Sequence, residues 1–198
     1  ERAEKFLIVP DDWTRPIVPA DHFGCPGPVE VDLGCGKGRF LVTRAKAHPQ
    51  TLFLGLDRML LRLRKVDKMI AREGLTNVRL LRIEASYGLE YLLPPASVST
   101  FYIFFPDPWP KRKHHRRRLV NEGFLSSLYR VLVSGGRVHL ATDHPDYFTH
   151  MQRVFARDER FASIPPLELP PEQHTDFERE FLGRGIAVGR ASYERQIS

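Results

Sequence analysis

The chain has 198 residues, 42% of them hydrophobic and 27% charged, with 30 Lys and Arg against 24 Asp and Glu for a net charge of +6. Such proportions exclude a disordered or fibrous polymer, and a chain of this length buries roughly 70% of its unfolded surface, enough for one domain over residues 1–198. Charges or prolines interrupt every apolar run before the ~20 residues needed to cross a bilayer, so no membrane partner is expected.

The opening Glu1 to Lys5 is charged and offers no hydrophobic leader, although the chain does not begin with Met. The arrangement of residues 1–28 carries no pattern that assigns it. Val29 to Leu33 is a short β-branched run ending in a glycine cluster, which predicts a buried strand, and Arg39 to His48 reads as a helix closed by Pro49. Leu52 to Leu56 is a second strand. Leu60 to Glu73 has Leu60, Leu61, Leu63, Val66, Met69 and Ile70 near helical spacing, with Gly74 as its C-cap. Val78 to Ile83 and Val98 to Phe105 are the next strands. Glu122 to Leu132 is a helix closed by Gly135-Gly136, Arg137 to Ala141 a strand, and Asp146 to Arg157 a further helix. Within 163–172, Pro165 to Pro171 forms a stiff extended connector. It leads to a C-terminal segment with a last strand at Ala187 to Tyr193. This alternation predicts an α/β fold, a doubly wound, mostly parallel sheet of Rossmann-like character.

Two cysteines, Cys25 and Cys35, are too few for a disulfide framework and lack metal-ligand spacing, so no metal and a reducing cytoplasm are expected. The positive charge is unevenly spread along the chain. Lys111 to Arg118 holds six Lys or Arg and no acid, and once these are set aside from the 30, bases and acids balance at 24 each. That concentration suggests a polyanion site, although isolated basic tracts are more often solvated charge.

The strand ending at Leu33 feeds Asp32-Leu33-Gly34-Cys35-Gly36-Lys37-Gly38. Gly34, Gly36 and Gly38 permit a sharp turn and close approach of a ligand. Their spacing is neither the Gly-x-Gly-x-x-Gly of a dinucleotide site nor a P-loop, which makes a dehydrogenase the weakest reading. An acid at the strand end opposes a pyrophosphate but suits a cationic ligand such as S-adenosylmethionine. Asp57 ends the second strand 21 residues after Gly36, where a carboxylate accepts both hydroxyls of a ribose or simply caps the next helix. Glu84 ends the third strand and is placed to accept from an adenine amino group. Three strand ends closing in acids point to an adenosine-bearing ligand at the carboxyl edge of the sheet. The fourth strand runs into Pro106-Asp107-Pro108-Trp109-Pro110, a rigid non-helical loop that can hold Asp107 beside a planar base.

The run from Phe105-Pro106-Asp107-Pro108-Trp109-Pro110-Lys111 to Arg118-Leu119 resembles the signature of the bacterial tRNA (guanine-N7-)-methyltransferases. The glycine loop, Ala141-Thr142-Asp143 and Thr175-Asp176-Phe177-Glu178 resemble the same family in the same order, over about Val29 to Tyr193. The resemblance implies a class I methyltransferase fold with a seven-stranded sheet, and methyl transfer from S-adenosyl-L-methionine to a guanosine of tRNA, at position 46 in the variable loop. It implies Asp32, Asp57, Glu84 and Asp107 as cofactor-contacting acids, and Asp107 and Asp143 as candidate catalytic groups. Lys111, Asp143 and the block Thr175, Asp176, Phe177 and Glu178 become substrate contacts. Asp32 and Asp57 stand where Glu is common in relatives, and nothing before Val29 matches.

Guanine N7 carries a free in-plane lone pair, so the transfer needs no general base, only alignment and a place for the cationic product. Arg112, Arg116, Arg117 and Arg118 are expected to meet tRNA phosphates. Thr175 to Glu178 equally fits a capping box. The rivals are a methyltransferase acting on exocyclic amines of adenine or cytosine, whose Asp/Asn-Pro-Pro-aromatic loop Asp107-Pro108-Trp109 resembles, and a non-catalytic RNA-binding module with a vestigial pocket. The expected assembly is a monomer or homodimer.

Overall fold

Each apolar run read as a strand enters one sheet. The structure, a computed structural model, describes residues 4–197. In chain order the strands are β1 (Leu7–Ile8), β2 (Val29–Leu33), β3 (Leu52–Asp57), β4 (Val78–Arg82), β5 (Val98–Phe104), β6 (Leu132–Thr142), β7 (Phe161–Ile164) and β8 (Gly189–Arg195). The α-helices are α1 (Arg39–Ala47), α2 (Leu60–Arg72), the single turn α3 (Ala85–Tyr87), α4 (Glu122–Val131), α5 (Pro145–Ala156) and α6 (Asp176–Gly183). The strand order is β1-β4-β3-β2-β5-β6-β8-β7. Pairing is parallel from β1 through β6, while β8 runs antiparallel to β6 and β7 antiparallel to β8.

The sheet therefore has eight strands among the described residues where the sequence suggested seven. β1 and β7 are two and four residues long, too short to show an alternating pattern. The segment before β2 wraps the sheet edge. Phe6 N donates to Asp67 Oδ1 at 2.7 Å and Ile17 N to the Leu92 carbonyl at 2.8 Å. One expected boundary moves. The pair Gly135-Gly136 does not close α4, which ends at Val131, but lies inside β6. Pairing with β5 jumps from Val98–Leu132 to Thr100–Arg137, so Val133 to Gly136 bulge out of the ladder, which glycines tolerate.

Helices cover both faces. α1 and α2 bury Phe40, Leu41, Ala45, Leu63, Val66 and Ile70 against Phe53, Leu80 and Tyr102. α4 and α5 bury Phe124, Leu125, Leu128, Met151 and Phe155 against Phe101, Ile103 and Val138 on the opposite face. The Pro-rich connector crosses the first face. Leu169 joins its core, Leu167 N donates to Ser192 Oγ at 3.0 Å, and Arg44 Nη1 donates to Gln173 Oε1 at 3.2 Å. That strap delivers α6 to the carboxyl edge of β2 and β5, the point where the strand order reverses.

Candidate active site

A cavity of about 580 Å³ opens at that edge. Its floor is the turn between β2 and α1. Gly34 and Gly38 have φ of 90° and 77°, a region closed to most L side chains. A Cβ on Gly38 would also stand 2.6 Å from the Val66 methyls, whereas one on Gly34 would meet nothing within 4 Å. Gly38 is thus required by packing against α2. Gly34 leaves its backbone bare toward the cavity. Gly34 N and Cys35 N both donate to the Leu56 carbonyl at 2.9 Å, tying the turn to β3.

Asp32, Asp57 and Glu84 all line the cavity. Asp32 is 4% exposed, and burial, followed by the neighbouring Asp57 carboxylate, pushes its carboxyl up to about 7. No cation of the described residues offsets that cost. Burial and then the Asp32 carboxylate also push the Cys35 thiol well up, so the cysteine beside it is an uncharged wall atom. Asp57 is 6% exposed and accepts from Gly36 N at 3.1 Å and from Met59 N at 2.7 Å, with Arg62 Nη1 3.7 Å away. It therefore braces the glycine loop and the start of α2 together. Each of its oxygens has a second lone pair available. Glu84 Oε2 accepts from Tyr87 N at 3.0 Å, capping α3.

The opposite wall is the Pro106–Pro110 loop. Phe105 and Trp109 have φ of 53° and 45°, left-handed values that cost non-glycine residues about 1–3 kcal/mol each unless their surroundings enforce them. Here the enforcement is visible. Phe105 N donates to the Ala141 carbonyl at 2.7 Å, and the Phe105 ring packs 5.6 Å from Phe181 on α6. The Arg117 guanidinium sits 4.9 Å above the Trp109 ring. Arg118 Nε donates to the Pro108 carbonyl at 2.9 Å. With the loop so held, Asp107 stands exposed at the cavity wall, its carboxylate in no hydrogen bond or ion pair among the described residues.

The basic octapeptide divides. Lys111, Arg112 and Lys113 are exposed outside the cavity, in and before a 3-10 turn at Arg112–Arg117, while Arg116, Arg117 and Arg118 are among its lining residues. Arg118 is 3% exposed, pairs with Asp146 on α5 and lies 4.9 Å from the Tyr147 ring. Where a phosphate contact was expected, the structure places a guanidinium engaged with the Pro108 carbonyl and Asp146.

On α6, Thr175 Oγ1 accepts from Glu178 N at 3.0 Å, which is half of the anticipated capping box. Thr175, Asp176, Phe177 and Glu180 line the cavity, and Phe177 is 51% exposed. Glu178 does not. It is fully buried, ion-paired with Arg190 on β8 and 3.4 Å from His174, which ties α6 to β8. Asp143 follows β6, one strand beyond β5, and is not among the residues lining the cavity. Sequence reading missed Arg39, Arg58 and Arg62 as wall residues. The density of Arg and Lys from Arg58 to Arg72 was the available signal.

Among the described residues no group of three His, Cys, Asp or Glu side chains can hold a metal, and no helix is long and apolar enough to cross a membrane. A family model described as a putative methyltransferase matches residues 26–190. A protein of Halorhodospira halophila named tRNA (guanine-N(7)-)-methyltransferase is 38% identical over 173 residues, 84% of this chain and 74% of the relative. Among solved structures, the 16S rRNA methyltransferase KamB aligns with a TM-score of 0.64 at 19% identity, over 86% of this chain and 88% of that one. A putative methyltransferase from Streptococcus mutans in complex with SAH aligns at 0.54 and 12%, over 85% and 89%.

Proposed function

This chain belongs to the tRNA (guanine-N7-)-methyltransferase family, and from that premise we propose that its cavity carries a methyl group to N7 of a guanosine in the tRNA variable loop. The enzyme depends on S-adenosylmethionine, which supplies an electrophilic methyl on a positively charged sulfur. The residues present suit that donor. A 580 Å³ cavity is of nucleoside size, and the bare Gly34 backbone allows close approach.

The observation that carries the reading is the buried Asp32 carboxylate, which faces the cavity with no cation beside it while the Pro-Asp-Pro-Trp loop forms the other wall. Asp32 holds the donor's positive end, Asp57 accepts from the ribose hydroxyls, and Glu84 accepts from the adenine amino group. The guanine enters against Asp107, with Phe177 offering an exposed ring for stacking. Because N7 has no proton to lose, Asp107 serves as an acceptor for the base's N1 and amino hydrogens, or as a counter-charge to the methylated purine. Positioning supplies most of the rate enhancement. Arg116 and Arg117 meet the flanking phosphates.

The test is incubation with unmodified tRNA and labelled donor, followed by nucleoside mass spectrometry. 7-Methylguanosine from the variable loop is the expected product. Methyl on an exocyclic amine of adenine or cytosine overturns the reading, as does the absence of any calorimetric heat with S-adenosylmethionine or its demethylated product.

A further inference from the structure

The linear charge count treats Lys111 to Arg118 as the whole basic excess, but the fold segregates charge differently. From Arg58 to Arg72 the chain also carries six Arg and Lys, against one acid, Asp67. α2 turns Leu63, Val66 and Ile70 into the core at 1% exposure or less, so the opposite side of the helix faces water. Arg62, Arg64, Lys65, Lys68 and Arg72 are exposed there. Asp67 forms no ion pair with them among the described residues, and its Oδ1 accepts from Phe6 N on the N-terminal segment. Arg64 pairs with Glu4, and Arg72 lies 3.6 Å from Glu73. Lys65, Lys68 and Arg58 have no acidic partner among the described residues. At its start this surface is continuous with the cavity, whose lining includes Arg58 and Arg62, and Arg116 and Arg117 stand on the octapeptide side of the same opening.

We propose that the outward face of α2 is a second phosphate-binding surface, along which the tRNA helix lies when its target nucleotide occupies the cavity. The inference rests on the tRNA reading above and extends the footprint beyond the octapeptide. Thirteen residues of helix span about 20 Å, close to the rise of about seven base pairs of an A-form helix, so the basic face matches a run of successive phosphates. A membrane surface is the weaker occupant. An interfacial helix inserts its apolar side into lipid, and here that side is consumed by the core, leaving Leu61, 68% exposed, as the large apolar residue of α2 on the outward face. A second copy of the same face meets it with like charge.

The test uses Lys65→Ala/Lys68→Ala in the full chain. Neither residue lines the cavity or touches another charged group, so folding and calorimetric binding of S-adenosylmethionine stay at wild-type values. tRNA binding is followed by fluorescence anisotropy between roughly 50 and 200 mM salt. The expected result is weaker binding and a salt slope shallower by about 0.7–0.9 log units per lost contact, with Lys65→Arg/Lys68→Arg restoring it. A slope identical to wild type overturns the inference while leaving the function intact. Vesicles of phosphatidylserine that bind the wild type and lose the double variant, with tRNA unaffected, assign the face to a membrane instead. Failure of the wild type itself to bind tRNA removes the underlying function, and this surface with it.

Discussion

The two walls of the cavity reach rigidity by different routes. The glycine-loop wall is set by backbone: tight φ values, amides on the Leu56 carbonyl, and Asp57 bridging Gly36 and Met59. The Pro106–Pro110 wall is set by side chains distant in sequence: Arg118 on the Pro108 carbonyl, Asp146 on Arg118, and Arg117 on Trp109. The first wall is local and tolerates little change in its own residues. The second is strained and depends on its supports. A backbone-defined wall suits a donor of fixed shape, whereas a supported loop suits a base that must be inserted and released.

The comparison breaks most visibly at Asp107. Asp107→Ala is expected to lower methyl transfer by about 10²–10³-fold, the scale of one lost preorganised polar contact, while the melting temperature stays within a degree or two, because the side chain is exposed. Single-turnover transfer and a thermal melt check both halves. On the other wall the order reverses: Gly38→Ala attacks stability first. Left-handed φ and a 2.6 Å contact with Val66 together cost about 2–4 kcal/mol, read as a shift in denaturant midpoint.

Arg118→Met sharpens the contrast. Losing the buried guanidinium removes the Pro108 tether at a cost of about 1–3 kcal/mol, and kcat falls while calorimetric affinity for the donor, bound on the other wall, does not. Equal loss of both would mean the walls act as one unit.

The smallest effect, taken per pH unit, is a stability slope on the glycine wall. Asp32 titrates near 3.8 when free and at about 7 in the fold. Between those values the folded state keeps a proton that the unfolded state has released. The protein without donor therefore loses stability as pH rises through that window, by up to ~1.4 kcal/mol per unit. Asp32→Asn flattens the slope in urea melts. Donor binding below pH 7 should release a proton, detectable as a buffer-dependent calorimetric heat, because a nearby cation favours the ionised carboxylate.

Much of the first wall was legible in the sequence. Glycine spacing and strand-end acids are short-range features, so Asp32, Asp57 and Glu84 stand in one cavity as their positions suggested. The second wall was legible as a motif but not as a mechanism. Arg118 looked like its neighbours in a basic run, and nothing in that run distinguishes the one arginine that Asp146 and Tyr147 draw inward. The burial of Glu178 was hidden for a related reason. A capping-box spacing gives the backbone bond to Thr175 but not the side of the helix that Arg190 occupies. The Arg58–Arg72 density was in plain view, yet acids elsewhere cancelled it in a one-dimensional count.

The sequence by itself determined the six longer strands, the buried faces of α1, α2 and α4, and the glycine turn after β2, because periodicity and glycine conformation act over a few residues. Which charges are buried, which wall a loop joins, and where like charges gather were decided by packing. Burial and Coulomb interaction depend on distance in space, and in a doubly wound sheet residues far apart in the chain, such as Pro108 and Asp146, become neighbours of the same guanidinium.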